Sequence, residues 1–121
     1  ERLEAASCER LIPPGCDIIF ECFDKAESKA LLAEFCLRFR SGIPLISVSG
    51  TAGIGDWSDI KVRKGPGSLL IVGDGMTEAN DANGTLASRV AQVAAIQAHL
   101  GIGLMLEKAK SAGFKSGFRA S

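Results

Sequence analysis

The run from Asp17 to Val48 reads as strand, helix and strand, and that order limits the fold more than any other feature of the chain. Asp17-Ile18-Ile19-Phe20-Glu21-Cys22-Phe23 is β-branched and aromatic, apolar at most positions and bounded by turn residues, which predicts an interior strand buried on both faces. From Lys25 to Arg40, residues Leu31, Leu32, Phe35, Cys36 and Phe39 form one apolar stripe, so an amphipathic helix follows. Ser41-Gly42 closes it, and Ile43-Pro44-Leu45-Ile46-Ser47-Val48 starts a second strand with proline at its edge. Three elements in so few residues predict a right-handed βαβ crossover.

The flanks extend this unit. Leu3 to Ile12 has helical spacing and is stopped by Pro13-Pro14-Gly15, because proline cannot continue a helix. Beyond Val48, Ile60-Lys61-Val62-Arg63-Lys64 alternates as a half-exposed strand does. Gly65-Pro66-Gly67 turns the chain into Ser68-Leu69-Leu70-Ile71-Val72, so these two strands should be antiparallel neighbours in a mixed sheet. Gly73 to Gly84 is too polar and glycine-rich for an element and forms the longest irregular connection, the kind that carries function. Leu86 to Lys108 is a long helix with Leu86, Val90, Val93, Gln97, Leu100 and Leu104 on one face. Ala87, Ala91, Ala94, Ala98 and Gly101 smooth an adjoining face, and a helix apolar nearly all round is expected to be buried. Arg89, Gln92, Gln97, His99 and two glycines within it argue against a membrane span. The Gly-Phe-basic unit at Gly113 and again at Gly117 is too short to define a repeat.

Composition sets the outer limits. With 121 residues the chain fits one domain, and 46% apolar residues exclude disorder. Fourteen acidic residues balance fourteen basic ones, so no long-range field recruits nucleic acid or a membrane surface, and neither is expected as a partner. The mean hydropathy of +0.18 is high for a small monomer and predicts apolar surface covered by another subunit or by further chain, and a sequence that opens on Glu1 rather than methionine is expected to be a cut piece of a longer one. Cys8, Cys16, Cys22 and Cys36 contain no Cys-x-x-Cys pair, which removes the main support for zinc. Without a signal peptide pattern, a reduced cytoplasmic protein is expected. Cys16 and Cys22 share strand parity with Ile18 and Phe20, and Cys36 lies in the helix stripe, so buried structural thiols are expected.

Few residues stand out as chemistry. Asp24 follows a strand and starts a helix, the place where open α/β sheets put their ligands. With Glu27 three residues on, it equally fits a capping box, and one carboxylate can cap with one oxygen and hold Mg²⁺ with the other. Gly50, Gly53 and Gly55 lack the G-x-G-x-x-G order and precede a strand, so they make a poor phosphate loop. They suit a loop that needs backbone freedom or lets another chain pass close by. Lys61, Arg63 and Lys64 read as a solvated face, and His99 has no nucleophile to serve.

Four segments, in order, resemble the second half of the ThiF, MoeB and HesA family of ubiquitin-activating-type adenylyltransferases, and most of all its ThiF branch. They are Cys16-Asp-Ile-Ile-Phe-Glu-Cys-Phe-Asp24-Lys-Ala-Glu-Ser-Lys29-Ala-Leu, Ile43-Pro-Leu-Ile-Ser-Val-Ser-Gly-Thr-Ala-Gly53, Leu70-Ile-Val-Gly-Asp-Gly75 and Leu86-Ala-Ser-Arg-Val-Ala-Gln-Val-Ala-Ala-Ile-Gln97-Ala98. The resemblance implies an α/β, Rossmann-like three-layer fold with a mixed sheet, usually homodimeric. Residues 1–108 would be the C-terminal portion of the family domain and 109–121 a polar tail.

As the resemblance implies it, the reaction joins AMP from MgATP to the C-terminal glycine carboxylate of a ubiquitin-like sulfur carrier, ThiS-like and serving the thiazole of thiamine. Asp24 would then be the catalytic residue that helps hold Mg²⁺ and the ATP phosphates. Gly50, Thr51, Gly53 and Gly55 would lie beside the carrier's glycine tail, and Gly73 to Gly84 would be the loop that crosses over it. The family's glycine-rich nucleotide loop and phosphate-binding basic residues lie upstream of this chain, so ATP and Mg²⁺ need that half and the 121 residues alone should be inactive. The crossover loop has no cysteine, which leaves a persulfide there unsupported, and Lys25 stands where many relatives have asparagine, as the ThiF branch allows. The rival expectations are a non-catalytic carrier-binding or dimerisation module of this descent, and an unrelated small α/β domain.

Overall fold

The computed structural model describes residues 4–23, 25–50, 56–75 and 87–113. Helix α1 (Ala5–Leu11) ends where Ile12 N–H closes on the Cys8 carbonyl at 2.9 Å and the two prolines follow. Strand β1 (Ile19–Phe20), helix α2 (Ala26–Phe39) and strand β2 (Leu45–Val48) form the expected crossover, with β1 and β2 parallel and Ile19 opposite Leu45. A 3₁₀ turn (Trp57–Asp59) leads into strand β3 (Lys61–Lys64), which pairs antiparallel with β4 (Leu69–Gly73). Strand β4 also lies parallel to β2, so the sheet is mixed, in the order β1-β2-β4-β3. Helix α3 (Ala87–Ser111) completes the described chain.

Alternation along the strands separates two cores. Leu45 packs with Cys8, Leu32, Phe35 and Cys36 beneath α1 and α2. Its neighbour Ile46 faces the other way and packs with Ile60, Val72 and Val93 beneath α3. Helices on one face, a sheet, and a helix on the other make the three-layer α/β architecture. Each fully buried aliphatic or aromatic side chain supplies about 1.5–3 kcal/mol. Arg40 ties the ends of α1 and α2: its Nε and one terminal nitrogen donate to the Ile12 carbonyl at 3.0 and 2.8 Å, and its guanidinium lies over the Phe35 ring.

The structure corrects several expectations. Among the described residues β1 is an edge strand of two residues, not an interior strand over Asp17 to Phe23, because only β2 offers it backbone partners. The strand parity ends with it, so Cys22 is exposed while Cys8 and Cys36 are buried, and all four cysteines are free. Strand β3 shows no alternation: all four of its residues are exposed, since it forms the opposite edge and the helices pack mainly on β2 and β4. Helix α3 is long and apolar enough to cross a membrane by length and composition. It is not buried all round, because one stripe touches the sheet: Arg89, Val93, Gln97 and Gly101 are buried, while Val90, Ile102, Met105 and the alanines at 91, 94 and 98 are exposed. At Gly101 a Cβ would lie 2.5 Å from Phe20 Cζ, so this glycine permits the close approach of α3 to β1.

Candidate functional site

The carboxyl ends of the three parallel strands carry the buried polar groups. Glu21 extends the ladder past β1 by donating its N–H to the Ile46 carbonyl at 3.0 Å, and its side chain is 1% exposed. A carboxylate there would cost several kcal/mol if unpaired. It accepts from Lys29 Nζ at 2.8 and 3.0 Å, from Ser47 Oγ at 2.9 Å and from the Phe23 N–H at 2.9 Å. Lys29, in the first turns of α2, also donates to the Val48 carbonyl at 2.8 Å. From α3, Gln97 Nε2 donates to the Ile46 carbonyl at 3.2 Å. The turn from β1 into α2 is therefore held by both neighbouring layers.

A second junction joins the ends of β2 and β4. Ser49 N–H donates to the Val72 carbonyl at 2.9 Å, Asp74 N–H to the Gly50 carbonyl and Gly75 N–H to the Ser49 carbonyl, both at 3.0 Å. Gly50 has φ +84°, and a Cβ on it would lie 1.8 Å from Asp74 Oδ1. Only glycine fits both the conformation and the space. The Asp74 carboxylate is buried and meets the Arg89 guanidinium at 2.7 Å. Arg89 also reaches the Asp56 carbonyl at 3.4 Å, and Arg63 donates to the Asp74 carbonyl at 3.0 Å. The Asp56 carboxylate accepts the Ser58 N–H at 2.9 Å and its hydroxyl at 2.8 Å, and these two bonds, the backbone one foremost, hold its pKa below the ordinary 3.8.

The predicted site residues fall unevenly on this frame. Gly50 sits in the second junction; Asp24, Thr51, Gly53, Gly55 and the 76–84 part of the crossover segment lie outside the described residues. Lys25 takes the N-cap position of α2 and makes no side-chain cap bond, and the expected capping box of Asp24 with Glu27 falls on Asp24, outside the described residues. Glu21, Lys29, Asp74, Arg89 and Gln97 were not foreseen as a cluster. The available signal was a charged residue inside each apolar pattern, since a buried charge requires a partner. For Mg²⁺, Asp24 offers the hard oxygen donor the ion takes. Glu21 and Asp74 are already engaged by cations, and among the described residues no group of three acidic, histidine or cysteine side chains gathers as a metal site. At the opposite end of the sheet an open cleft of about 600 Å³ is lined by Cys16, Ile18, Phe39, Ile43 and Met105, and by Asp17, which is paired with Lys108.

Solved structures similar to this chain include two of the E. coli tRNA N6-threonylcarbamoyladenosine dehydratase TcdA, one in complex with ATP and one with AMP. Each has 16% identity and a TM-score of 0.69 over 91% of this chain, a likeness of fold. The chain spans only 56% and 57% of their lengths. A search of curated protein sequences gives no significant match. The model of the ThiF family matches residues 1–119, nearly the whole sequence. With its mixed sheet and Rossmann-like layers, this chain belongs to the ThiF family and carries part of that family's E1-like adenylating fold.

Proposed function

We propose that this chain works as the C-terminal part of a ThiF-family adenylyltransferase that activates the terminal glycine of a ubiquitin-like sulfur carrier, ThiS-like and serving thiamine thiazole synthesis. The observation that carries the reading is the parallel register of β1 on β2, with Phe20 opposite Ile46. It brings the described ends of the chain at Phe23 and Gly50 to the same side of adjacent strands, which lie about 5 Å apart laterally. Ligands of open α/β sheets bind at that end.

In this reading the carrier's glycine carboxylate attacks the α-phosphorus of ATP, a P–O bond forms, and the bond to pyrophosphate breaks. Mg²⁺, when bound, neutralises the phosphate charge. Asp24 would hold it from this chain, while the nucleotide loop would come from the part of the family domain that this chain does not span. The Glu21 network fixes the backbone on the strand side of Asp24, and the small residue types at Gly50, Thr51, Gly53 and Gly55 suit a passing extended glycine tail. The site would work in the cytoplasm, in a homodimer packed on the exposed face of α3 around Ile102 and Met105.

The test is ATP–pyrophosphate exchange by the full-length protein with a carrier ending in glycine. Asp24→Asn should lower the exchange rate about a hundredfold or more, and unchanged exchange would remove Asp24 from the site. The second reading, a carrier-binding or dimerisation module without catalysis, is favoured by the exposed apolar residues of α3. It predicts carrier binding with no exchange in the full-length protein.

A further inference from the structure

Strand β3 ends the sheet with an open backbone and charge of a single sign. Among the described residues its only strand neighbour is β4, and all four of its residues are exposed. Gly65 N–H donates to the Leu69 carbonyl at 2.9 Å, so by the alternation of an antiparallel ladder Arg63 with Ile71, and Lys61 with Gly73, are the hydrogen-bonded pairs. Val62 and Lys64 fall between them and direct their N–H and C=O groups away from β4, toward the outer edge. The side chains divide by parity, with Lys61 and Arg63 on one face of the sheet and Val62 and Lys64 on the other. Arg63 donates to the Asp74 carbonyl at 3.0 Å, whereas neither Lys61 nor Lys64 forms an ion pair with another described residue.

An edge with unpaired backbone groups is a template for one more strand. Charge decides which strand it accepts. A second copy brought edge to edge would set Lys61, Arg63 and Lys64 against the same cations at a spacing of about 5 Å, and like charges directly opposite oppose pairing. An acidic strand would meet those cations as partners, and the exposed Val62 offers it an apolar contact. The same residues therefore bar self-association and select an acidic chain.

We propose that the outer edge of β3 is a docking site for an extended, acidic segment of a partner protein, which adds to the sheet beside β3. Val62 and Lys64 bond its backbone, while Lys61, Arg63 and Lys64 meet its carboxylates. The site lies across the sheet from β1, and it stands whether or not the adenylation reading does.

The probe is a fluorescein-labelled peptide of about ten residues, alternating glutamate and valine, titrated into the full-length protein by anisotropy with residue-resolved amide exchange on the complex. Wild type should bind it about tenfold more tightly than an alternating lysine–valine peptide. Bound peptide should slow exchange at the Val62 and Lys64 amides about tenfold, while the Arg63 N–H, already in the ladder with β4, keeps its rate. Lys61→Glu combined with Lys64→Glu should weaken binding about tenfold and reverse the preference between the two peptides. Val62→Pro removes one outward N–H at an edge, where proline is tolerated, and should weaken binding about fivefold. An alternating glutamate–proline peptide applies the same test to the unaltered fold: it keeps the charge, loses the backbone donors, and should bind about tenfold more weakly. Equal binding of the valine and proline peptides, or Val62 and Lys64 amides left unprotected, would overturn strand addition. Equal binding of the glutamate and lysine peptides would overturn selection by charge. A single-stranded oligonucleotide that bound this edge more tightly than the glutamate peptide would overturn the protein partner.

Discussion

The Glu21–Lys29 pair closes within one strand–helix unit, across eight residues, whereas Asp74–Arg89 reaches across fifteen and collects the ends of two excursions from the sheet. Both lie at the carboxyl end of the sheet and both bury their carboxylate, yet their surroundings differ. Glu21 takes its donors from α2, from β2 and from its own turn, so its carboxylate is embedded in regular structure. Asp74 and Arg89 touch the sheet only where it stops, beside glycines and a single 3₁₀ turn. A buried pair in the first setting contributes chiefly to the stability of the whole domain. The same chemistry in the second ties the ends of β2 and β4 to the 3₁₀ turn and the first turn of α3.

The largest effect should come from breaking the first pair. Lys29→Ala leaves the Glu21 carboxylate 1% exposed with only neutral donors, and should cost about 3 kcal/mol in urea unfolding, the low end for a buried pair because Lys29 itself is 27% exposed. A loss under about 1 kcal/mol would erase the distinction, since Glu21 would then be no more than a surface charge. Asp74→Asn keeps an acceptor opposite Arg89 and removes only the charge, so it should cost about 2 kcal/mol. If it matched or exceeded Lys29→Ala, the second junction would be the more deeply structural of the two.

How much of this could be read beforehand follows from the same contrast. The crossover of β1, α2 and β2 and the antiparallel pair of β3 with β4 were legible, because apolar spacing and turn residues report local structure directly. The edge position of β1 was not, since Ile18-Ile19-Phe20 has the same composition whether one neighbour or two complete the sheet. Burial around α3 was overread for a related reason: its apolar residues cover most of its surface, but one sheet face can bury only one stripe, and it is the stripe with Arg89 and Gln97. Of the site, glycine 50 was legible as a place of close approach, though the group it admits, the Asp74 carboxylate, is distant in sequence. The partners of Glu21 and Arg89 were set by packing, and no spacing rule relates residues 21 and 47 or 74 and 89.

A smaller change sharpens the first junction. Ser47→Ala removes one of the donors to Glu21 and leaves Lys29 and the Phe23 N–H in place, so the loss should be about 1 kcal/mol. Combined with Lys29→Ala, the two losses should exceed their sum, because the second removal strips a carboxylate already short of donors. Simple additivity would mean that Ser47 and Lys29 serve Glu21 independently and that no network exists there.

The smallest effect is a pH dependence at the second junction. Asp56 caps the Trp57–Asp59 turn, and the Ser58 N–H followed by the Ser58 hydroxyl lowers its pKa below 3.8. A carboxyl group lowered in the folded state contributes stability that is present above the unfolded value and lost as pH falls through the folded one. Acid should therefore release the Ser58 amide with a midpoint below pH 3.8, seen as a shift of its NMR resonance. The turn is linked to the ion pair through the Arg89 contact with the Asp56 carbonyl and the Gln92 bond to the Trp57 carbonyl, so the lone Trp57 should report the same midpoint in its fluorescence. In Asp56→Asn the Ser58 resonance should lose this transition. Its persistence there would mean that another group titrates at the second junction.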